Sequence, residues 1–123
     1  MKFRKKTAAM ISVLIYLGIF LLSSLPGSAL PRKIPDVIPH LCEYALLAFF
    51  LVQALTAAPN RKTTAIAFVA LLPLIIFDEV HQAFVPGRFC SLKDMAVDML
   101  GSACGLLAYH GSWRWPLKTR DGR

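Results

Sequence analysis

Charge is scarce in this chain: 17% of its 123 residues are Asp, Glu, Lys or Arg, while 56% are hydrophobic. A soluble domain of this length cannot bury so much apolar surface, which points to a membrane protein. Acidic residues are the scarcest, seven against 14 Lys and Arg, for a net charge of +7. Such a balance would suit nucleic acid if the basic residues shared a soluble face. Here they punctuate apolar runs, so no nucleic-acid partner is expected.

Other absences narrow the chemistry. The three cysteines, Cys42, Cys90 and Cys104, form no C-x-x-C pair, which removes a zinc knuckle and a disulfide framework. Cys42 and Cys104 read as small membrane residues and Cys90 as a loop thiol. No H-E-x-x-H helix occurs, and Ser23, Ser24 and Ser91 lie outside any G-x-S-x-G nucleophile motif. With no internal repeat and no low-complexity linker, residues 1–123 read as one domain.

What is present is a series of apolar segments separated by turns. Lys2, Arg4, Lys5 and Lys6 precede a first span over about residues 8–24. This pattern is also that of a signal peptide with Gly27-Ser28-Ala29 as the cleavage site. An uncleaved helix is expected instead, because the later segments need a membrane and pair with it. Turn residues from Ser23 to Gly27, with Pro31 and Pro35, end that span, and a second follows over 38–58. Pro59-Asn60-Arg61-Lys62 makes a basic turn. The third span covers 63–84, with Pro73 expected to kink it, and a fourth covers 94–111. Gly101-Ser102-Ala103-Cys104-Gly105 carries the small-xxx-small pattern that permits close helix contact. Trp113 and Trp115 suit interfacial anchors, and the tail Lys118–Arg123 reads as disordered.

The expected fold is therefore all-α, a polytopic bundle of four transmembrane helices. Lys and Arg on the two sides of that bundle number ten and four, which puts both termini in the cytoplasm. Asp36, Glu43, Asp78, Glu79, Asp94 and Asp98 then all fall toward the outer end, with His40, His81, Gln82 and Arg88. The uncharged run Thr63–Phe77 has 15 residues. A hydrocarbon core of about 30 Å needs about 20, so Asp78 and Glu79 fall inside the span. Ionisable groups there suggest a functional site.

Helical spacing groups these residues into polar stripes. Asp36, His40 and Glu43 share one face, Asp78, His81 and Gln82 a second, and Asp94, Asp98 and Gly101 a third. Convergent stripes would form an outward-opening pocket of carboxylates and imidazole with Arg88 at its rim. Three chemistries fit it: a divalent metal on His and carboxylates, acid/base work by crowded carboxylates, and capture of an anion by Arg88 and Lys93. Alternatively, the stripes pair only among themselves and set helix register.

At these residues the sequence resembles the VanZ family, small membrane proteins named for a glycopeptide-resistance accessory protein. Ser23-Ser24-Leu25-Pro26-Gly27 with Leu30-Pro31 is similar to the family's first loop. Asp36, His40 and Tyr44, beside Glu43, fit D-K-x-x-H-x-x-x-Y. Asp78-Glu79, Gln82, Phe84, Pro86 and Arg88 fit D-E-x-x-Q-x-F-x-P-x-R, the most specific block. Asp94, Asp98, Gly101 and Gly105 fit D-x-x-x-N-x-x-G-x-x-x-G. Val37 replaces the usual Lys, and Asp98 stands where Asn is common, adding a negative charge that favours a metal or a proton.

The resemblance implies a multi-pass protein of the bacterial inner membrane, tied in some members to reduced susceptibility to teicoplanin-type antibiotics; it names no reaction. The expected function is a cell-envelope protein whose extracytoplasmic pocket binds, and can modify, a lipid-linked cell-wall intermediate or an anionic polymer. Asp78, Glu79, His40 and Asp94 are the candidates for chemistry, and Asp36, Glu43, Tyr44, His81, Gln82, Arg88 and Asp98 for binding. A divalent metal is the candidate cofactor, membrane lipid the surrounding partner, and a homodimer fits so small a bundle. The alternatives are a structural or partner-binding protein, whose Gly101 and Gly105 face docks another helix, and a small transporter. Charges gathered at one end, away from the midplane, speak against the transporter.

Overall fold

The computed structural model describes residues 2–30 and 33–114, and for Lys2, Phe3 and Arg114 the backbone alone. Trp115 and the tail expected to be disordered lie outside the described residues. Four α-helices make up the bundle: α1 (Lys2–Ser23), α2 (Val37–Leu55), α3 (Arg61–Gln82) and α4 (Leu92–Arg114), with a 3-10 turn at Gly27–Ala29. No strand occurs among the described residues.

Three of the helices are long and apolar enough to cross a membrane: α1 from Arg4, α2 and α3. Most of their apolar surface faces outward, with Leu14, Leu17 and Leu21 on α1 and Val69, Ile76 and Phe77 on α3 all exposed. In water such a surface would aggregate, whereas lipid solvates it. The fourth helix falls short of that apolarity. It is diluted by Asp94, Asp98, Ser102, His110 and three glycines.

Helix boundaries follow local chemistry. The basic residues Arg4, Lys5 and Lys6 are already helical, and Lys5 Nζ donates to the Leu55 carbonyl at the C-terminal end of α2 (3.2 Å), a favourable place for a cation. α2 stops at Leu55 rather than Ala58 because Thr56 is extended and its hydroxyl donates to the Ala58 carbonyl. Pro59 also disfavours a helical Ala58. Asn60 caps α3, its Oδ1 accepting from the Thr63 N–H at 2.8 Å. Replacing that cap, Asn60→Ala, is expected to cost about 1 kcal/mol, read as a shift in unfolding by circular dichroism in detergent. α3 continues through Pro73, whose side is exposed.

The centre of the bundle is α2, which packs against all three other helices and most extensively against α4. Gly101 and Gly105 explain that closeness. A Cβ on Gly101 would collide with the Leu41 carbonyl, and one on Gly105 with the Ala45 carbonyl. The small-residue face is thus used within the chain. It is covered by α2 and does not present itself to a partner helix.

Each inward stripe changes character along its length. On α2 it runs from His40 through Tyr44, Leu47 and Ala48 to Val52. On α3 it runs from Ala67, Leu71 and Ile75 to Asp78, Glu79 and Gln82. On α4 Asp98 and Ser102 precede Leu106 and Tyr109. Because α3 is antiparallel to α2 and α4, its polar C-terminal end meets their polar N-terminal ends, while the apolar parts join into one core with Ile19 of α1.

Candidate functional site

The polar end is closed by two loops held together. The Gly27 N–H donates to the Pro86 carbonyl at 3.0 Å, and Gly87, with φ 75, supplies the left-handed turn that L-residues adopt reluctantly. That turn brings Arg88 back over the end of α3. Its guanidinium donates to Gln82 Oε1 at 2.5 Å.

Gln82 joins the rim to the interior. With its oxygen committed to Arg88, its amide nitrogen faces Asp78 Oδ2 (3.1 Å) and Glu79 Oε1 (3.4 Å). This orientation is required chemically, because the guanidinium has only donors and the carboxylates only acceptors. Ser23, the last residue of α1, donates to Asp78 Oδ1 at 2.5 Å. Asp78, Glu79 and Gln82 are at most 2% exposed, so every one of these bonds replaces lost water.

A second cluster lies beside the first. His40 Nδ1 sits 2.9 Å from Asp98 Oδ1 and 4.0 Å from Glu79 Oε1. The carboxylate can only accept, so Nδ1 carries the proton in this arrangement. Glu79 also holds the start of α4: its Oε2 accepts from the Ser91 N–H at 2.9 Å, while Ser91 Oγ accepts from the Asp94 N–H at 3.2 Å. Ser91-Leu92-Lys93-Asp94 has the spacing of a capping box. Glu79 takes the donor that Asp94 would otherwise bind, and Asp94 is left to face the solvent side.

Above these groups lies an open cavity of about 710 Å³, lined by His40, Gln82, Arg88, Lys33, Asp36 and Asp94 among others. An adjoining lobe of about 190 Å³ is lined by Leu22, Pro39 and Glu43 along with several of the same residues. The floor is therefore the His40 imidazole and the Gln82 amide, with the carboxylates buried beneath them, while the rim carries both signs of charge and one lobe is mainly apolar. His40 Nδ1, a Glu79 oxygen and an Asp98 oxygen all lie within 4.8 Å of one another, close enough to share a cation.

Most of the sequence candidates gather here, in different roles. His40, Gln82, Arg88, Asp36, Glu43 and Asp94 line the cavities. Asp78, Glu79 and Asp98 form the buried layer beneath. Two candidates stand apart. His81 faces α1, stacked on Phe20 at 4.5 Å and 3.0 Å from Ser24 Oγ. Tyr44 is fully buried below the site, its hydroxyl 3.5 Å from the Leu74 carbonyl. Three residues not among the candidates matter: Ser23 and Ser91 through the bonds above, and Ser102, buried one turn after Asp98. Ser91 could have been found from its capping-box spacing to Asp94, a signal not used among the sequence candidates; Ser102 is marked only by its i+4 relation to Asp98.

The sequence model of the family described as VanZ/LLP1 matches residues 6–114, from the start of α1 to the end of α4. No curated protein and no solved structure matches the chain.

Proposed function

This chain belongs to the VanZ/LLP1 family of membrane proteins, and from that premise we propose that it captures an anionic component of the bacterial cell envelope. The membrane is the bacterial inner membrane, crossed four times with both termini in the cytoplasm. α4, though less apolar than the rest, crosses sheltered against α2, its Asp98 and Ser102 turned inward. The cavity then opens on the extracytoplasmic side, where lipid-linked cell-wall intermediates and anionic polymers are found.

The observation that carries this reading is Arg88, fixed by Gln82 at the rim of the 710 Å³ cavity. One contact to the amide leaves the remaining guanidinium N–H groups for a ligand, and the adjacent Lys33 adds a second cation. The apolar lobe beside Leu22 and Pro39 would take the first part of a lipid chain. Of the groups expected to carry chemistry, His40 and Asp94 face the cavity, while Asp78 and Glu79 hold Gln82 and α4 in position.

Native mass spectrometry of the gently solubilised protein tests this. Wild type is expected to retain an anionic lipid-linked species. Arg88→Ala, confirmed to remain folded, is expected to lose at least about tenfold of it, since a hydrogen bond to a charged group contributes about 1.5–3 kcal/mol. Equal retention in a folded Arg88→Ala protein would overturn the reading. A change in susceptibility to teicoplanin-type antibiotics on deletion would place the ligand in cell-wall synthesis.

A further inference from the structure

We propose that the buried layer beneath the pocket binds one divalent transition-metal ion, of the zinc or manganese class, through His40 Nδ1, a Glu79 carboxylate oxygen and the Asp98 carboxylate. The three ligands come from three helices, α2, α3 and α4, so the ion would tie together the elements that form the site. The metal stands on the geometry below; its role as an anchor for an anionic head group rests on the pocket reading above.

Distance is the first argument. Metal–ligand bonds of about 2.0–2.2 Å place donor atoms roughly 3–4 Å apart around a single ion. The three donors already lie within 4.8 Å of one another, with separations from His40 Nδ1 of 2.9 Å to Asp98 and 4.0 Å to Glu79. The ion takes the place of the His40 Nδ1 proton, which leaves to solvent, as metal binding requires of an imidazole.

An independent observation points to the same place. Asp98 Oδ2 and Ser102 Oγ are fully buried and have no hydrogen-bond partner among the described residues. A buried carboxylate oxygen without a donor is costly, and native structures rarely keep one without a bound ion or water. Asp98 is already in the cluster through Oδ1, so a cation there supplies what Oδ2 lacks.

Charge gives the third argument. Asp78, Glu79 and Asp98 are buried together, and among the described residues the basic groups in contact with this layer are His40 and Arg88, the latter bonded to Gln82 rather than to a carboxylate. A divalent ion offsets the excess. One imidazole with carboxylate oxygens suits zinc or manganese, whereas magnesium and calcium favour oxygen ligands alone. Three protein ligands fill three of the four positions of a zinc ion, and His40 is the ligand that also lines the cavity.

The test uses the full chain in mild detergent, stripped with a chelator, then equilibrated separately with Zn²⁺ and Mn²⁺. Bound metal is counted by mass spectrometry and unfolding is followed thermally. One ion per chain and a raised unfolding temperature are expected. Glu79→Gln and Asp98→Asn should each weaken the metal by at least about tenfold. Asp98→Asn keeps an oxygen to accept from His40, so its fold should survive, and the wild-type titration needs no variant at all. A wild type that retains neither ion, its orphan oxygens met by water only, would overturn the site. So would wild-type affinity in both folded variants. Metal bound without any retained envelope ligand would leave the site standing and sink the pocket reading; the opposite pattern would remove the metal alone.

Discussion

Replacing His40 alone with Leu is expected to destabilise the bundle by roughly 3–5 kcal/mol, the cost of leaving a buried charge without its partner. Asp98 has no other hydrogen bond among the described residues: its Oδ1 meets His40 Nδ1 at 2.9 Å and its Oδ2 meets nothing. The double variant His40→Leu, Asp98→Ala is expected to recover most of that loss, because removing both polar partners also removes the stranded carboxylate. Glu79 stays held by the Ser91 N–H and the Gln82 amide in either variant. Denaturant unfolding in metal-free detergent, followed by circular dichroism, measures the cycle. If the double loss equalled the sum of the single losses, the two side chains would not be coupled and the pair would not be the centre of the buried layer.

Gly105→Leu is expected to prevent the native packing of α4 on α2, and Gly105→Ala to cost about 1–3 kcal/mol, the range for forcing extra atoms into a packed interior. The obstacle is backbone: a Cβ at Gly105 meets the carbonyl, carbonyl carbon and Cα of Ala45, none of which can rotate aside. Gly18 gives the internal control. Nothing lies within 4 Å of a Cβ there, so Gly18→Ala should be neutral or, through helix propensity, stabilising by up to about 1 kcal/mol. Thermal unfolding with size-exclusion chromatography reads both. A Gly105→Leu protein that kept its stability but changed its oligomeric state would show that the glycine faces a second molecule instead of Ala45.

The residues of α3 show where linear pattern stops being informative. At about 100° per residue, Leu71, Ile75, Asp78 and Gln82 form one stripe, and Glu79 and His81 flank it on opposite sides by similar angles. Spacing therefore put His81 in the polar stripe as readily as Glu79. The neighbours decide. On the Glu79 side α4 begins, and the Ser91 N–H satisfies the carboxylate. On the His81 side is α1, whose Phe20 stacks on the ring. The family motif includes Tyr44, yet this residue lies one turn below His40, where the α2 stripe has already become core.

The sequence by itself determined that this is an all-helical membrane protein with six of its seven acids toward one end. Those properties depend on composition and on i, i+4 spacing within single segments, which a linear chain displays directly. Only the tertiary structure decided that Gly101 and Gly105 serve α2 and that Arg88 reaches Gln82. It alone placed His40, Glu79 and Asp98 in one cluster. Each of these is a contact between segments, set by how the helices turn about their axes as the apolar halves of their stripes close on a common core, and no single segment records that rotation.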